Sequence, residues 1–269
     1  MSNLYKNLFV LVLAIVGIHL TYTGFIRPQA DLAIEAARQI GQSAPRDLSV
    51  ILKDVEQEIC LILMIWGTFM MVDKCVSILK KRYLFNVDLL ESSADDKSSL
   101  AASSEELEIL PEDDKSGLAA SLEELEILPE KVKESPLVQT LMASLRRYLI
   151  TGDVQNTSDA ITASVEALGV RLEAENSMVR YLIWAIPSIG FIGTVRGIGQ
   201  ALSQADKALA GDIAGMTDSL GVAFNSTFVA LVISIGLMFL LHQLQRLQDG
   251  LLVDTQEYCE KFLLNRISR

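Results

Sequence analysis

The stretches IPSIGFIGTVRGIGQAL (186–202) and LGVAFNSTFVALVISIGL (220–237) decide the architecture of this 269-residue chain. They belong to apolar segments, 181–202 and 220–241, each long enough to cross about 30 Å of hydrocarbon as a helix. A short polar connection, 203–219, joins them, so the two helices are antiparallel neighbours. Thr194 lies thirteen residues beyond Tyr181, and Thr227 lies fourteen before Leu241. At the helical rise they stand about 20 Å and about 21 Å from the same side of the membrane. The two hydroxyls are thus expected to face each other at one depth, with Ser226 beside them.

A lone hydroxyl in a bilayer commonly bonds back to its own helix, whereas two at matched depth can line a polar path. Gly190, Gly193 and Gly197 bring a small surface along the same helix, and small surfaces let helices approach closely in lipid. Two uses fit that surface equally: packing against the chain's own helices, or against a helix of another subunit. Pro187 is expected to bend the helix below this region. Arg196 is a charge within the segment. One reading makes it an interfacial anchor or a partner of Asp206, Asp212 or Asp218, and the other a gate or counter-ion.

Two more apolar segments precede these. The first, 8–26, has only Lys6 as a positive n-region, and Thr21, Tyr22 and Thr23 follow where a small-x-small cleavage pattern would stand. It reads as a retained span. The second, 59–79, is interrupted by Asp73 and Lys74 and stopped by Lys80, Lys81 and Arg82. Asp73 reads as an interfacial polar residue, the only acid within a span, and His19 as interfacial near the other end. The basic cluster 80–82, with Arg146 and Arg147, places the connection between spans two and three in the cytoplasm. Both termini are then cytoplasmic, and 27–58 and 203–219 are the outer connections.

The fold class expected is therefore all-α: a polytopic membrane protein with four transmembrane helices and a helical cytoplasmic extension. The divisions are a first transmembrane pair (1–79), an acidic linker (80–136), a helical region (137–180), a channel-like pair (181–245) and a C-terminal helix (246–269). In the helical region Leu137, Leu141, Leu145 and Tyr148, then Ile161, Val165, Leu168 and Leu172, recur at helical spacing. Leu244, Leu247, Leu251 and Leu252 do the same beyond span four.

The linker contains a duplication. KSSLAASSEELEILPE begins at Lys97 and KSGLAASLEELEILPE at Lys115, differing only at Ser99/Gly117 and Ser104/Leu122. Fifteen acidic and four basic residues lie between 88 and 134, which accounts for the whole net charge of −11. Capping-box spacing (Ser103 with Glu106, Ser121 with Glu124) gives each copy a helix start, and Pro111 and Pro129 stop it. The plainer reading is a solvated linker with transient turns; the other is a docking segment using Leu107, Ile109, Leu110 and their counterparts.

The Gly-Thr-Val of 193–195 in a Gly-rich span, followed by a short loop and a span with the Ser-Thr pair 226–227, resembles the MotA/TolQ/ExbB channel domain. The likeness covers roughly 180–244, and the four-span order with a large inner loop resembles the MotA branch. Arg196 departs from the pattern, since that position is commonly apolar in the ExbB and TolQ motif. The resemblance implies a subunit of an ion-driven motor in a bacterial inner membrane. It implies a homo-oligomeric ring, a pentamer, around a single-span partner that carries a membrane aspartate. Thr194, Thr227 and Ser226 would line the ion pathway.

Other classes find no support. A basic face for nucleic acid is missing from a chain that is neutral outside its acidic segment. Two histidines and three unpatterned cysteines, Cys60, Cys75 and Cys259, suggest no metal site, and no motif of catalysis or cofactor binding occurs. The rival to a motor subunit is a membrane scaffold that recruits a cytoplasmic partner without ion flow.

Overall fold

The computed structural model describes residues 2–40, 45–86, 89 and 112–267, which form helices and their connections with no strand among them. Four helices are long and apolar enough to cross a membrane: Tyr5–Gln39, Val55–Lys81, Val154–Leu202 and Ala214–Ile267. The chain divides into two compact units, one of Met1–Lys74 with Asn176–Leu244, the other of Cys75–Glu175 with Gln245–Arg269.

In the first unit, helix α1 (Ser2–Thr21) passes through one π turn (Tyr22–Ile26) into α2 (Arg27–Gln39). Pro28 lies just after the wide turn. Proline lacks an N–H and its ring crowds the carbonyl four residues back, and a widened turn accommodates both defects. The helix thus runs thirteen residues into what the sequence suggested as an outer connection. After a short turn, α3 (Leu48–Ile51), the second span is α4 (Val55–Lys81), with Glu56 and Glu58 in its first turn and Lys80 and Lys81 in its last. That polarity complements the helix dipole at both ends.

The third span is α5 (Ser177–Leu202) and the fourth begins α6 (Ala214–Cys259). Pro187 lies inside α5 and cannot donate to the Ile183 carbonyl. The Ser234 hydroxyl of α6 donates to that carbonyl instead, at 3.0 Å. A neighbouring helix thus satisfies the freed group, as a bilayer interior demands. Outward faces are apolar, with Phe9, Phe25, Trp184, Phe191, Phe224 and Phe239 exposed, as suits contact with lipid or another apolar helix.

The second unit has its own core. Helices α7 (Glu112–Ile127), α8 (Pro136–Thr151) and α9 (Val154–Glu175) pack with the end of α6 around Leu137, Leu141, Leu145, Ile161, Cys259 and Leu263. Gly152 takes φ +65° between α8 and α9, a left-handed helix end that glycine reaches without steric cost. Asp153 then accepts from the Gln155 amide at 3.1 Å to start the next helix. Only Asn176 interrupts the helical pattern from Val154 to Leu202.

The linker expectation fails for the second repeat copy, which is the helix α7. Its Leu118, Ser121 and Leu125 are buried, and Leu122 packs against the same core. Leu118, Leu122 and Leu125 form one helical stripe, and the duplication difference Ser104/Leu122 supplies its middle member. The first copy lies outside the described residues.

Candidate functional site

The glycine surface of α5 packs inside the first unit. A Cβ on Gly190 would sit 2.5 Å from Ala230 Cβ, one on Gly193 2.5 Å from Ser226 Cβ, and one on Gly197 2.7 Å from the Ala223 nitrogen. Ala223, Ser226 and Ala230 are the small residues of one face of α6, so small faces small along the seam.

This close approach positions the hydroxyls. Thr194 and Thr227, both half-buried, are in hydrogen-bond contact across the seam. Thr194 Oγ1 lies 3.0 Å from the Ala223 carbonyl and 3.3 Å from its own helix's Gly190 carbonyl, while Thr227 Oγ1 lies 3.2 Å from Gly190 O. Each hydroxyl has one proton to donate and two lone pairs. One hydroxyl donates across the pair and the other to a carbonyl of the opposite helix, so each oxygen keeps at least one unused lone pair. Back-bonding alone, the plain expectation for a lone threonine, does not describe a pair whose closer carbonyls are on the other helix.

Beside this pair lies a collar of polar side chains that sequence reasoning missed. Three consecutive residues in the first turn of α4 each engage a different helix. Glu56 receives a bidentate contact from Arg196 of α5, with Nε to Oε1 at 2.8 Å and Nη2 to Oε2 at 2.8 Å. The Gln57 amide donates to Ser226 Oγ of α6 at 3.3 Å. Glu58 is held by Arg27 at 2.6 Å and His19 Nδ1 at 2.7 Å, both on the first helix. Glu56, Gln57 and Glu58 are all buried, and Asp54 adds a second contact to Arg196 at 3.3 Å.

Two expectations are corrected here. Arg196 pairs with Asp54 and Glu56 rather than Asp206, Asp212 or Asp218, because it stands nearly two turns before the end of α5 and reaches sideways. Asp73 is not the only acid within a spanning helix, since Glu56 and Glu58 lie in α4, with Glu56 Cγ close to the site of a Gly193 Cβ. Asp73 itself pairs with Lys6, and Lys74 donates to Asn176 Oδ1 at 3.2 Å. His19 is engaged with Glu58 rather than merely interfacial. Among the described residues no group of three or more His, Cys, Asp or Glu side chains is placed to hold a metal ion.

Among the described residues, four helices of membrane length with apolar outward faces make this a multi-pass membrane protein. Residues 132–257 match the model of the MotA/TolQ/ExbB proton channel family, so this part of the chain is a channel domain of that family. No curated protein and no solved structure was found to match the chain. The match begins well before the 180–244 region of sequence likeness and takes in α8 and α9. Those helices carry an apolar repeat and no distinctive chemistry, so residue motifs alone did not reveal that they belong to the domain.

Proposed function

We propose that this chain is the multi-spanning subunit of an ion-driven membrane motor, powered by the proton-motive force. Several copies, five by family likeness, form a ring around the membrane helices of a single-span partner that carries an aspartate. Thr194, Thr227 and Ser226 border the ion route. The chain lies in a bacterial inner membrane with both termini in the cytoplasm, the orientation favoured by Lys80, Lys81, Arg82, Arg146 and Arg147. Its work is ion transport rather than enzymatic catalysis.

The observation that carries this reading is the Thr194–Thr227 contact, with both hydroxyls in reach of opposite-helix carbonyls. Hydroxyl oxygens whose protons are used up within the seam still offer lone pairs, the complement of a protonated carboxyl group or a cation. The half-burial of both residues leaves this surface open to an arriving helix.

Thr194→Val and Thr227→Val test it. Each keeps the shape and removes the oxygen. In vesicles containing the full chain with its co-purifying subunits, both variants should assemble normally and lose about tenfold or more of proton flux, with Thr→Ser variants largely restored. Unchanged flux in both valine variants would favour the scaffold alternative.

A further inference from the structure

A cavity of about 1040 Å³ opens within the first unit, with Asp54, Arg196, Gln200, Asn225 and Phe228 among its lining. Exposed Arg38 and Arg46 also line it, as do Lys53 and the half-buried Asp218, so its lining is mixed in charge, with a buried acidic oxygen at Asp54. Three consecutive residues of α6 lead away from it. Asn225 lines the cavity, Ser226 accepts from Gln57, and Thr227 contacts Thr194. Along this line Asp54 Oδ2 and Gln57 Oε1 are buried with no protein hydrogen-bond partner among the described residues. Buried oxygens of this kind are ordinarily satisfied by water, which needs a polar site with several partners.

We propose that this line of polar groups is a water-filled access path inside each subunit. It leads from the cavity past Gln57 and Ser226 to the threonine pair. Gln57 is its narrow point: a neutral amide that spends its N–H on Ser226 and leaves its oxygen to accept from water. The inference rests on the motor reading for its purpose, since it supplies the outer half of the ion route, but its physical content is water access alone. Arg196 is a positioning residue. Its fork on Glu56 keeps that carboxylate turned toward α5 and away from the path.

The test is cysteine accessibility on the full chain in lipid vesicles, with Cys75 replaced by serine. Asn225→Cys and Gln57→Cys are treated with a small, charged, membrane-impermeant methanethiosulfonate, and Phe239→Cys on the exposed apolar face of the same α6 serves as the lipid-facing control. Asn225→Cys and Gln57→Cys should label at least about tenfold faster than the control. Labelling no faster than the control at Asn225→Cys overturns the path, even if Gln57→Cys fails to fold. A second arm measures Gln57→Leu, which should lower proton flux severalfold while Asn225→Cys labelling persists in that background; unchanged flux overturns the role of Gln57. Fast labelling together with unaffected flux in Thr194→Val and Thr227→Val sinks the motor reading and leaves the hydrated path standing. Slow labelling with lost flux does the reverse.

Discussion

Arg196 grips Glu56 with two parallel contacts of 2.8 Å, joining the third span, α5, to the first turn of the second span, α4. Fork-on-carboxylate geometry of this kind fixes orientation as well as charge. The guanidinium also touches Asp54, so one cation serves two carboxylates. Removing the cation alone leaves both acids without it in a largely buried place. Arg196→Met should therefore cost more than the double change Arg196→Met with Glu56→Met, which removes charge from both sides. Arg196 is 39% exposed, and solvent screening reduces the expected difference to about 1–2 kcal/mol. Melting curves in detergent for both variants decide this, and an equal or greater loss in the double variant would contradict it.

Ser234 and Pro187 should behave as a coupled pair. The serine hydroxyl serves a carbonyl that is free only because proline cannot donate to it. Ser234→Ala alone should cost about 1 kcal/mol, the usual net worth of such a bond. In a Pro187→Ala background the restored N–H reaches Ile183 itself, and the serine becomes dispensable. A double-mutant cycle on thermal stability should then show a coupling of about 0.5 kcal/mol or more.

The glycine seam makes a sharp positional forecast. A Cβ on Gly193 would meet Ser226 Cβ at 2.5 Å and Ser226 Oγ at 2.6 Å, whereas nothing lies within 4 Å of one on Gly221. Gly193→Ala should destabilise by about 1–3 kcal/mol through overpacking. Gly221→Ala should be neutral or stabilise slightly by improving helix propensity. Comparable melting temperatures for the two variants would show that the seam opens easily.

Much of this fold is legible in the residues. Hydropathy finds the spans because the bilayer imposes a minimum apolar length, and the matched depth of Thr194 and Thr227 follows from a constant rise per residue. The collar is not legible by the same means. Asp54, Glu56 and Glu58 stand before an apolar run and read as the end of a solvated connection. Glu56 and Glu58 are buried, and Asp54 half-buried, because His19, Arg27 and Arg196, distant in sequence, are brought to them by packing. One of the readings open for Arg196, pairing with the aspartates of 206–218, fails for a similar reason: nearness in sequence stands in for nearness in space only when a side chain points along its helix. The second repeat copy reads as a linker in the sequence because its acidity outweighs a three-leucine stripe.

Cys259 reports on the second unit by its chemistry. Burial, with a smaller contribution from Glu260, pushes its thiol up from the ordinary 9.0 to about 12. The thiolate is the reactive form, so at pH 8 the folded chain should alkylate at Cys259 far more slowly than the denatured chain. The linkage has a definite sign. The folded state resists ionisation, so the unit loses stability as pH rises from about 9 toward about 12, and below that window this thiol has no effect. Mass spectrometry after iodoacetamide treatment, with and without denaturant, measures the first effect. Equal rates in the two conditions would place Cys259 at the surface.

The single substitution Leu122→Ser restores the residue of the first repeat copy at the one place where the copies differ in hydrophobicity. In the folded chain Leu122 lies between Leu118 and Leu125 on the stripe that packs α7 against the core of the second unit. Its removal withdraws a half-buried leucine, worth about 1–2 kcal/mol, and leaves the flanking leucines without their middle contact. The sequence of α7 is rich in acid, with Glu123, Glu124 and Glu126 in its second half, and Glu126 is held by Arg146 at 2.6 Å. Cleavage by a glutamate-specific protease depends on local opening, and a loss of this size should raise cutting after these residues about tenfold. Arg146→Gln should add a smaller increase, because that ion pair is exposed on both sides. If Leu122→Ser were cut no faster than the unaltered chain, the leucine stripe would not be what seats the second copy, and the two repeats would be physically equivalent despite their difference.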